Sequence, residues 1–465
     1  MKRLSSETHL GMGKGVVFLL VILVVVLAVL GLKITSKAAP TIQIRGQLKG
    51  LGQSTSVEFE VRDTQHRIKS VQLEVRQGGR VFIVPVVGVT TESPASWWKF
   101  WARRPESKTA VQTRVGRKEI PDLQEGRATL VITATNDSWG RFFRGGRSEV
   151  TLDLPVRLTP PQVQVLSFPH YVNQGGTELI VFKVSPGTTH SGVQVGDYFF
   201  PSWPVKDSLP ETRLCFFAFP YMVDPSTPAR IVARDDAGNQ TVSNFTYRVF
   251  AKKFHTDTIQ VTDEFMSRVV PPIMSQTPDL QDQGSLRKNF LLVNGQLRTT
   301  NARELVAFSQ KTADHFLWTQ PFDRLPAKTE ASFADYRTYQ YNGEVIDHQT
   351  HLGFDLAGIE QMPVEAANDG VVVFAGFFGI YGNAVVIDHG CGLQSLYGHM
   401  SSIVAKAGDH VKRGQQIGRS GQTGLAGGDH LHFTMLLYGI PVNPVEWWDP
   451  HWVRDRIEKK LAAYR

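Results

Sequence analysis

Three polar clusters near the C-terminal end of the sequence carry residue types that bind metals and move protons. His351-Leu352-Gly353-Phe354-Asp355 offers a ring nitrogen and a carboxylate four residues apart. Tyr397-Gly398-His399-Met400 offers a histidine at a strand end, and Gly428-Asp429-His430-Leu431-His432-Phe433 has two histidines one residue apart. The continuation Thr434-Met435-Leu436-Leu437-Tyr438 reads as a strand, in which side chains i and i+2 leave the same face. His430 and His432 would then stand side by side, one imidazole on a metal and its neighbour beside the metal-bound water. A catalytic zinc takes nitrogen and oxygen ligands at about 2.0 to 2.2 Å and keeps three protein ligands plus an open position for water. A His, Asp, His set meets that need and leaves two histidines for proton handling. The chain contains no HExxH, so no helix-borne glutamate of that kind can act as the base.

These side chains need rigid elements beneath them. Residues 370–374, 383–387 and 394–397 read as short strands between turns, and Gly408, Gly414, Gly418, Gly421, Gly424, Gly427 and Gly428 punctuate the rest. A compact antiparallel β domain over residues 336–450 is the expectation, followed by a tail over 451–465.

Together these residues resemble the M23 peptidases, the lysostaphin or LytM-type zinc enzymes that cut peptide bonds in bacterial peptidoglycan. The carriers are His351-x-Gly353-x-Asp355, Gly382-Asn383-x-Val385-Val386-Ile387-Asp388-His389-Gly390, Leu396-Tyr397-Gly398-His399, Val411-Lys412-Arg413-Gly414-Gln415-x-Ile417-Gly418 and His430-Leu431-His432-Phe433. The resemblance implies that His351, Asp355 and His432 are the zinc ligands and that His399 and His430 flank the catalytic water. It further implies metal-assisted hydrolysis, with one histidine taking the water's proton and the other stabilising the oxyanion or protonating the leaving amine. Tyr397 and Asn383 are candidate lining residues. Two positions depart from the family pattern: Thr434 stands where an acidic residue is common, and Asp429 where proline is frequent. His348 falls outside the ligand set. His389 and His410 are expected in surface turns, and His255 and His315 in a linker, all four solvated or locally bonded.

Upstream, residues 40–247 alternate as strands do, for example at Val57, Phe59 and Val61 and at Val71, Leu73 and Val75. A weak repeat pairs residues 40–44 with 161–165 and 131–137 with 230–236. It suggests two immunoglobulin-like β-sandwiches, over 40–158 and 159–250, as spacers or binding surfaces. The insertion Trp97-Trp98-Lys99-Phe100-Trp101-Ala102-Arg103-Arg104 suits a membrane interface, against the plainer reading of tryptophans packed on their own sandwich. Residues 251–335 read as a partly helical linker, with Leu286, Phe290, Val293 and Leu297 at helical spacing and Asn301 as an N-cap ahead of Leu305 and Phe308. The linker could also lie across the cleft.

Residues 16–32 form an apolar run of 17 preceded by Lys2, Arg3 and Lys14. The expectation is a transmembrane helix within an anchor over 1–39, single-pass in the bacterial cytoplasmic (inner) membrane, with the catalytic domain outside, in the periplasm. A cleaved signal ending near Ser36-Lys37-Ala38 is the other reading. The 465-residue length allows two to four domains, and the formal charge of +7 suits an anionic envelope. Its lack of a compact basic run argues against nucleic acid. Cys215 and Cys391, the two cysteines, do not form a disulfide framework.

The functional expectation is a mainly β, membrane-anchored zinc endopeptidase acting on peptidoglycan stem peptides or crosslinks. A LytM-like non-catalytic regulator of another wall hydrolase is the alternative. A third reading is an envelope interaction protein that meets protein partners through its sandwiches.

Overall fold

The structure, a computed structural model, describes residues 21–25, 39–64, 66–86, 107–138 and 146–464. It is mainly β and divides into two compact units, Met1–Pro160 with Arg234–Gln240 and Pro161–Ala233 with Thr241–Arg465.

The first unit holds two antiparallel sheets. Thr41–Arg45, Thr55–Asp63 and Ser107–Val115 form one, and Arg80–Val84, Ile68–Gln77, Gly126–Asn136 and Arg147–Val156 form the other. The period-two pattern explains the pairing: Val57, Phe59, Val61, Leu73 and Val75 all turn inward to one core, with polar neighbours outside. The insertion at 97–104 lies outside the described residues.

In the second unit, a four-stranded sheet runs Trp203–Pro204, Thr212–Ala218, Thr177–Val184, Val163–Val165. One face meets a second four-stranded sheet (Tyr198–Pro201, Thr188–Val195, Ala229–Asp235, Gln240–Asn244), with Cys215 Sγ donating to the Phe200 carbonyl at 3.1 Å, and the other face turns to the C-terminal domain. Phe216 packs edge-on against Trp447 at 5.5 Å and tilted against Phe316 at 5.4 Å, so this sheet and the C-terminal domain share one continuous apolar core. Cys215 and Cys391 are both buried in that core as free thiols.

Three helices follow: α1 (Asp263–Ser275), α2 (Leu286–Leu292) and α3 (Arg298–Phe308). Thr262 and Ser285 cap α1 and α2 through their hydroxyls, and a five-residue π-turn, Val293–Leu297, joins α2 to α3. The stripe Leu286, Phe290, Val293, Leu297 faces the C-terminal sheet as its spacing dictates. Asn301 is not the N-cap its sequence position suggested. It is buried within α3, and its side-chain oxygen accepts from the Ile380 amide at 3.1 Å, because the π-turn keeps the chain helical from α2 onward.

The strands of the C-terminal domain that position the site are β1 (Asp335–Tyr341), β2 (Glu344–His351), β3 (Phe354–Ala357), β4 (Gly370–Phe377), β5 (Asn383–Gly390), β6 (Leu393–Met400) and β7 (Leu431–Leu437). The main sheet is ordered Lys328–Ala331, β3, β7, β6, β5, β4, His410–Val411, and β1 and β2 form a hairpin beside it. β5, β6 and β7 are buried on both faces, between the shared core and the α1–α3 cluster, and they carry Asp388, His389, Gln394, Ser395 and His399 inward with their apolar residues.

The expected single-pass inner-membrane placement is corrected. Among the described residues no helix is long and apolar enough to cross a membrane. The apolar run at 16–32 lies outside the described residues except for 21–25.

Candidate active site

The register of three adjacent strands builds the site. Asp355 on β3 sits directly opposite His432 on β7, and Gly398 on β6 sits opposite the same histidine from the other side. His351 ends β2, and a two-residue turn brings the chain back to Asp355. Gly353 in that turn has no substitute: a Cβ there would lie 2.6 Å from His432 Nε2 and 2.5 Å from Thr434 Oγ1.

His351 Nε2, His432 Nδ1 and Asp355 Oδ1 converge. The histidine nitrogens are each 2.9 Å from the carboxylate oxygen and 3.0 Å from one another. Their partners fix the tautomers. His351 Nδ1–H donates to the Ser332 carbonyl at 2.8 Å, which leaves a lone pair on Nε2. Thr434 donates its hydroxyl to the Leu352 carbonyl at 3.1 Å and so accepts from His432 Nε2–H at 3.0 Å, leaving a lone pair on Nδ1. Three acceptors thus meet at hydrogen-bond distance. One shared proton cannot satisfy all three, whereas a divalent cation can, and two nitrogens with one carboxylate oxygen is a donor set zinc accepts.

The electrostatics agree. Burial alone would raise the Asp355 carboxyl, but the neighbouring imidazoles of His351, His430 and His432 hold it well below the usual carboxylate range. Arg337 on β1 adds to this by donating to Asp355 Oδ2 at 3.1 Å. Burial pulls His432 down to about 4, against the opposing pull of Asp355, so its ring is neutral near pH 7.

Two further histidines face this cluster. The His399 ring lies 4.8 Å from that of His430 and 5.7 Å from that of His432, centroid to centroid. His399 Nδ1–H donates to the Thr423 carbonyl at 2.8 Å and His430 Nδ1–H to the Gly428 carbonyl at 2.9 Å, so both Nε2 atoms are left for the cleft. Burial, then the neighbouring His430 and His432, hold His399 well below the ordinary imidazole value. His430 goes the other way. Burial opposes its charge, but Asp355 Oδ1, 3.4 Å from Nε2, raises it overall. His399 occupies left-handed backbone, with φ of 62°, which costs a non-glycine residue roughly 1 to 2 kcal/mol. Thr423, which orients it, is pressed against Gly382 (φ +63°), where a Cβ would come within 2.3 Å of Thr423 backbone.

The other expected residues fall elsewhere. Tyr397 is buried beneath the sheet, its hydroxyl accepting from the Ala367 amide at 2.8 Å. Asn383 braces the loop, donating to the Met400 carbonyl at 3.2 Å. His348 is exposed and bonds Thr338. His389 is not in a surface turn: it is fully buried on β5, its ring between the Asp369 carbonyl and Ser395 Oγ, each at 2.7 Å. Asp429, in place of the family's frequent proline, accepts from Gln361 N and Ser420 Oγ and so ties down the approach to His430. Arg337, Ser332 and Thr423 carried no sequence signal of their own, since their partners are distant along the chain.

The linker helices line one side of this site. Tyr381, in a turn held by Asn301, places its ring 5.4 Å from that of His432, and Arg268 on α1 donates to the Ala426 and Gly427 carbonyls ahead of His430. Among the described residues no linker side chain hydrogen-bonds to any of the five.

Residues 349–444 match the family described as peptidase family M23. The chain carries an M23 peptidase domain. Its relatives include the DD-carboxypeptidase/endopeptidase Mpg of Neisseria meningitidis, 45% identical over 95 residues, covering 20% of this chain and 22% of that protein. The peptidoglycan DD-endopeptidase ShyA of Vibrio cholerae is 44% identical over 96 residues, 21% of this chain and 22% of its own. The match therefore spans under a quarter of these relatives' length. Among solved structures, the catalytic domain of lysostaphin from Staphylococcus simulans is 29% identical, covering 26% of this chain and 92% of that one, with a TM-score of 0.23.

Proposed function

We propose that this chain is a zinc-dependent endopeptidase that hydrolyses peptide bonds in the stem peptides or crosslinks of bacterial peptidoglycan. The observation that carries the reading is the convergence of His351 Nε2, His432 Nδ1 and Asp355 Oδ1 within 3.0 Å, with the Nε2 atoms of His399 and His430 left for the same cleft. The similarity to proteins named as peptidoglycan DD-endopeptidases supports the substrate class.

His351, Asp355 and His432 would hold the ion, with Ser332, Thr434 and Arg337 keeping their donor atoms aimed. When bound, zinc supplies Lewis acidity and a water acidified to a pKa near about 7. His399, kept neutral by burial, presents an Nε2 lone pair that takes a proton. His430, kept more basic by Asp355, carries a proton on Nε2 to the leaving amine. Tyr381 closes one side of the cleft against water.

Digestion of purified sacculi and defined crosslinked muropeptides by the zinc-loaded chain, read by mass spectrometry, tests this. New amino termini at a stem-peptide bond are expected. A zinc-replete protein that leaves every crosslink intact overturns the reading and favours a binding or regulatory role.

A further inference from the structure

Across one amide from Asp347 stands a guanidinium with no direct ion-pair partner among the described residues. Arg298, at the start of α3, is half-buried, and its Nε and Nη2 donate to the Asn294 carbonyl and Oδ1 at 3.2 and 2.8 Å. Asn294 is fully buried and in turn donates to Asp347 Oδ2 at 2.7 Å, so the arginine is braced from behind. Among the described residues no carboxylate forms an ion pair with it, unlike Arg337, Arg287 and Arg413, which pair with Asp355, Glu344 and Asp323. Two of its five N–H donors are used, and the Nη1 edge of the fork stays open.

Its location is fixed by the hairpin. Arg337 and Gln349, and Tyr339 and Asp347, are cross-strand pairs, so Asp347, Gln349 and His351 share one face of β2. His351 lies four steps along the strand from Asp347, which is about 13 Å at about 3.3 Å per residue. Arg298 therefore sits at one end of a wall whose other end is the metal-binding cluster, a span that three or four extended peptide residues would cover. Its charge reaches the Tyr381 phenol, where it works against the effect of burial.

We propose that Arg298 is a carboxylate subsite, which binds a free carboxylate of the stem peptide and sets the register of the scissile bond on the cluster. This rests on the peptidoglycan reading above and names which chemical group of that substrate is recognised. A braced, half-desolvated arginine with an open fork gains most from a planar anion, through charge-assisted paired hydrogen bonds.

The test is titration calorimetry of the zinc-loaded chain with a stem tetrapeptide as the free acid and as the fully amidated form. The wild type is expected to bind the free acid about tenfold or more tightly. Arg298→Gln should bind both forms equally, and Arg298→Lys should keep only part of the preference. Equal binding of both forms by the wild type, or an undiminished preference in Arg298→Gln, overturns the proposal. If Arg298→Gln does not fold, Arg298→Lys takes its place, and a preference as large as the wild type's overturns the proposal. Binding discrimination without cleavage of any muropeptide would sink the peptidase reading and leave this subsite standing, whereas cleavage without discrimination would do the reverse.

Discussion

Nη2 of Arg337 lies 3.1 Å from Oδ2 of Asp355, the carboxylate oxygen that His351 and His432 leave free. The guanidinium holds the carboxylate so that Oδ1 faces both histidines. Partners of this kind behind a metal ligand are worth about 10- to 100-fold in metal affinity. Arg337→Ala is therefore expected to lower zinc affinity by about tenfold or more, measured by competition with a chromogenic chelator. Unchanged affinity would show that the β-sheet alone orients Asp355.

In the proposed mechanism His432 holds the ion and His399 moves the proton, and substitution separates the two roles. His432→Ala should abolish zinc binding and cleavage together. His399→Ala should retain stoichiometric zinc by elemental analysis and lose about 10²- to 10⁴-fold in kcat, the usual worth of a positioned acid or base. Full turnover in His399→Ala would return the proton to His430.

Glu446 makes stability depend on pH. Its buried carboxyl accepts from Asn173 Nδ2, Thr177 N and Thr177 Oγ1, yet burial outweighs these bonds and pushes its pKa up to about 7. A folded pKa above the unfolded value of 4.5 means the folded chain holds the proton more tightly. The resulting stabilisation is fully present below about pH 4.5 and is lost as pH rises through 7, on the order of 3 kcal/mol in all. Urea unfolding of the wild type and of Glu446→Gln at pH 5 and pH 8 checks this, and parallel pH slopes for the two would refute it.

Lys460 donates to Glu178 Oε1 at 2.8 Å and to the Leu179 carbonyl at 2.8 Å, a buried pair that ties the C-terminal helical segment to the Thr177–Val184 strand. Removing one partner strands the other. Lys460→Met should cost about 3 to 5 kcal/mol, and Glu178→Gln in the same chain should recover most of it. Thermal unfolding of the single and double variants gives the comparison; additive losses would mean the two groups do not act as a pair.

Spacing along the polymer was enough to mark out the side chains that converge. Histidines at i and i+2 ahead of an apolar strand, and a histidine and a carboxylate flanking Gly353, are local patterns, and strand period two translates them directly into shared faces. The strands of the C-terminal sheet and the apolar stripe of the linker were legible for the same reason. Tertiary structure decided what local periodicity cannot carry. The bonds from Arg337 to Asp355 and from Thr423 to His399 join residues that only strand register and loop packing bring together. His389 and Asn301 looked like surface and capping residues because their neighbours in sequence are polar or turn-forming, but a covering layer buries both. The Thr177–Val184 sheet likewise shares its core with the M23 domain because Phe216 and Trp447 meet across 231 residues of chain. Burial depends on what packs on top of a segment, and that is a property of the assembled layers, absent from any window of sequence.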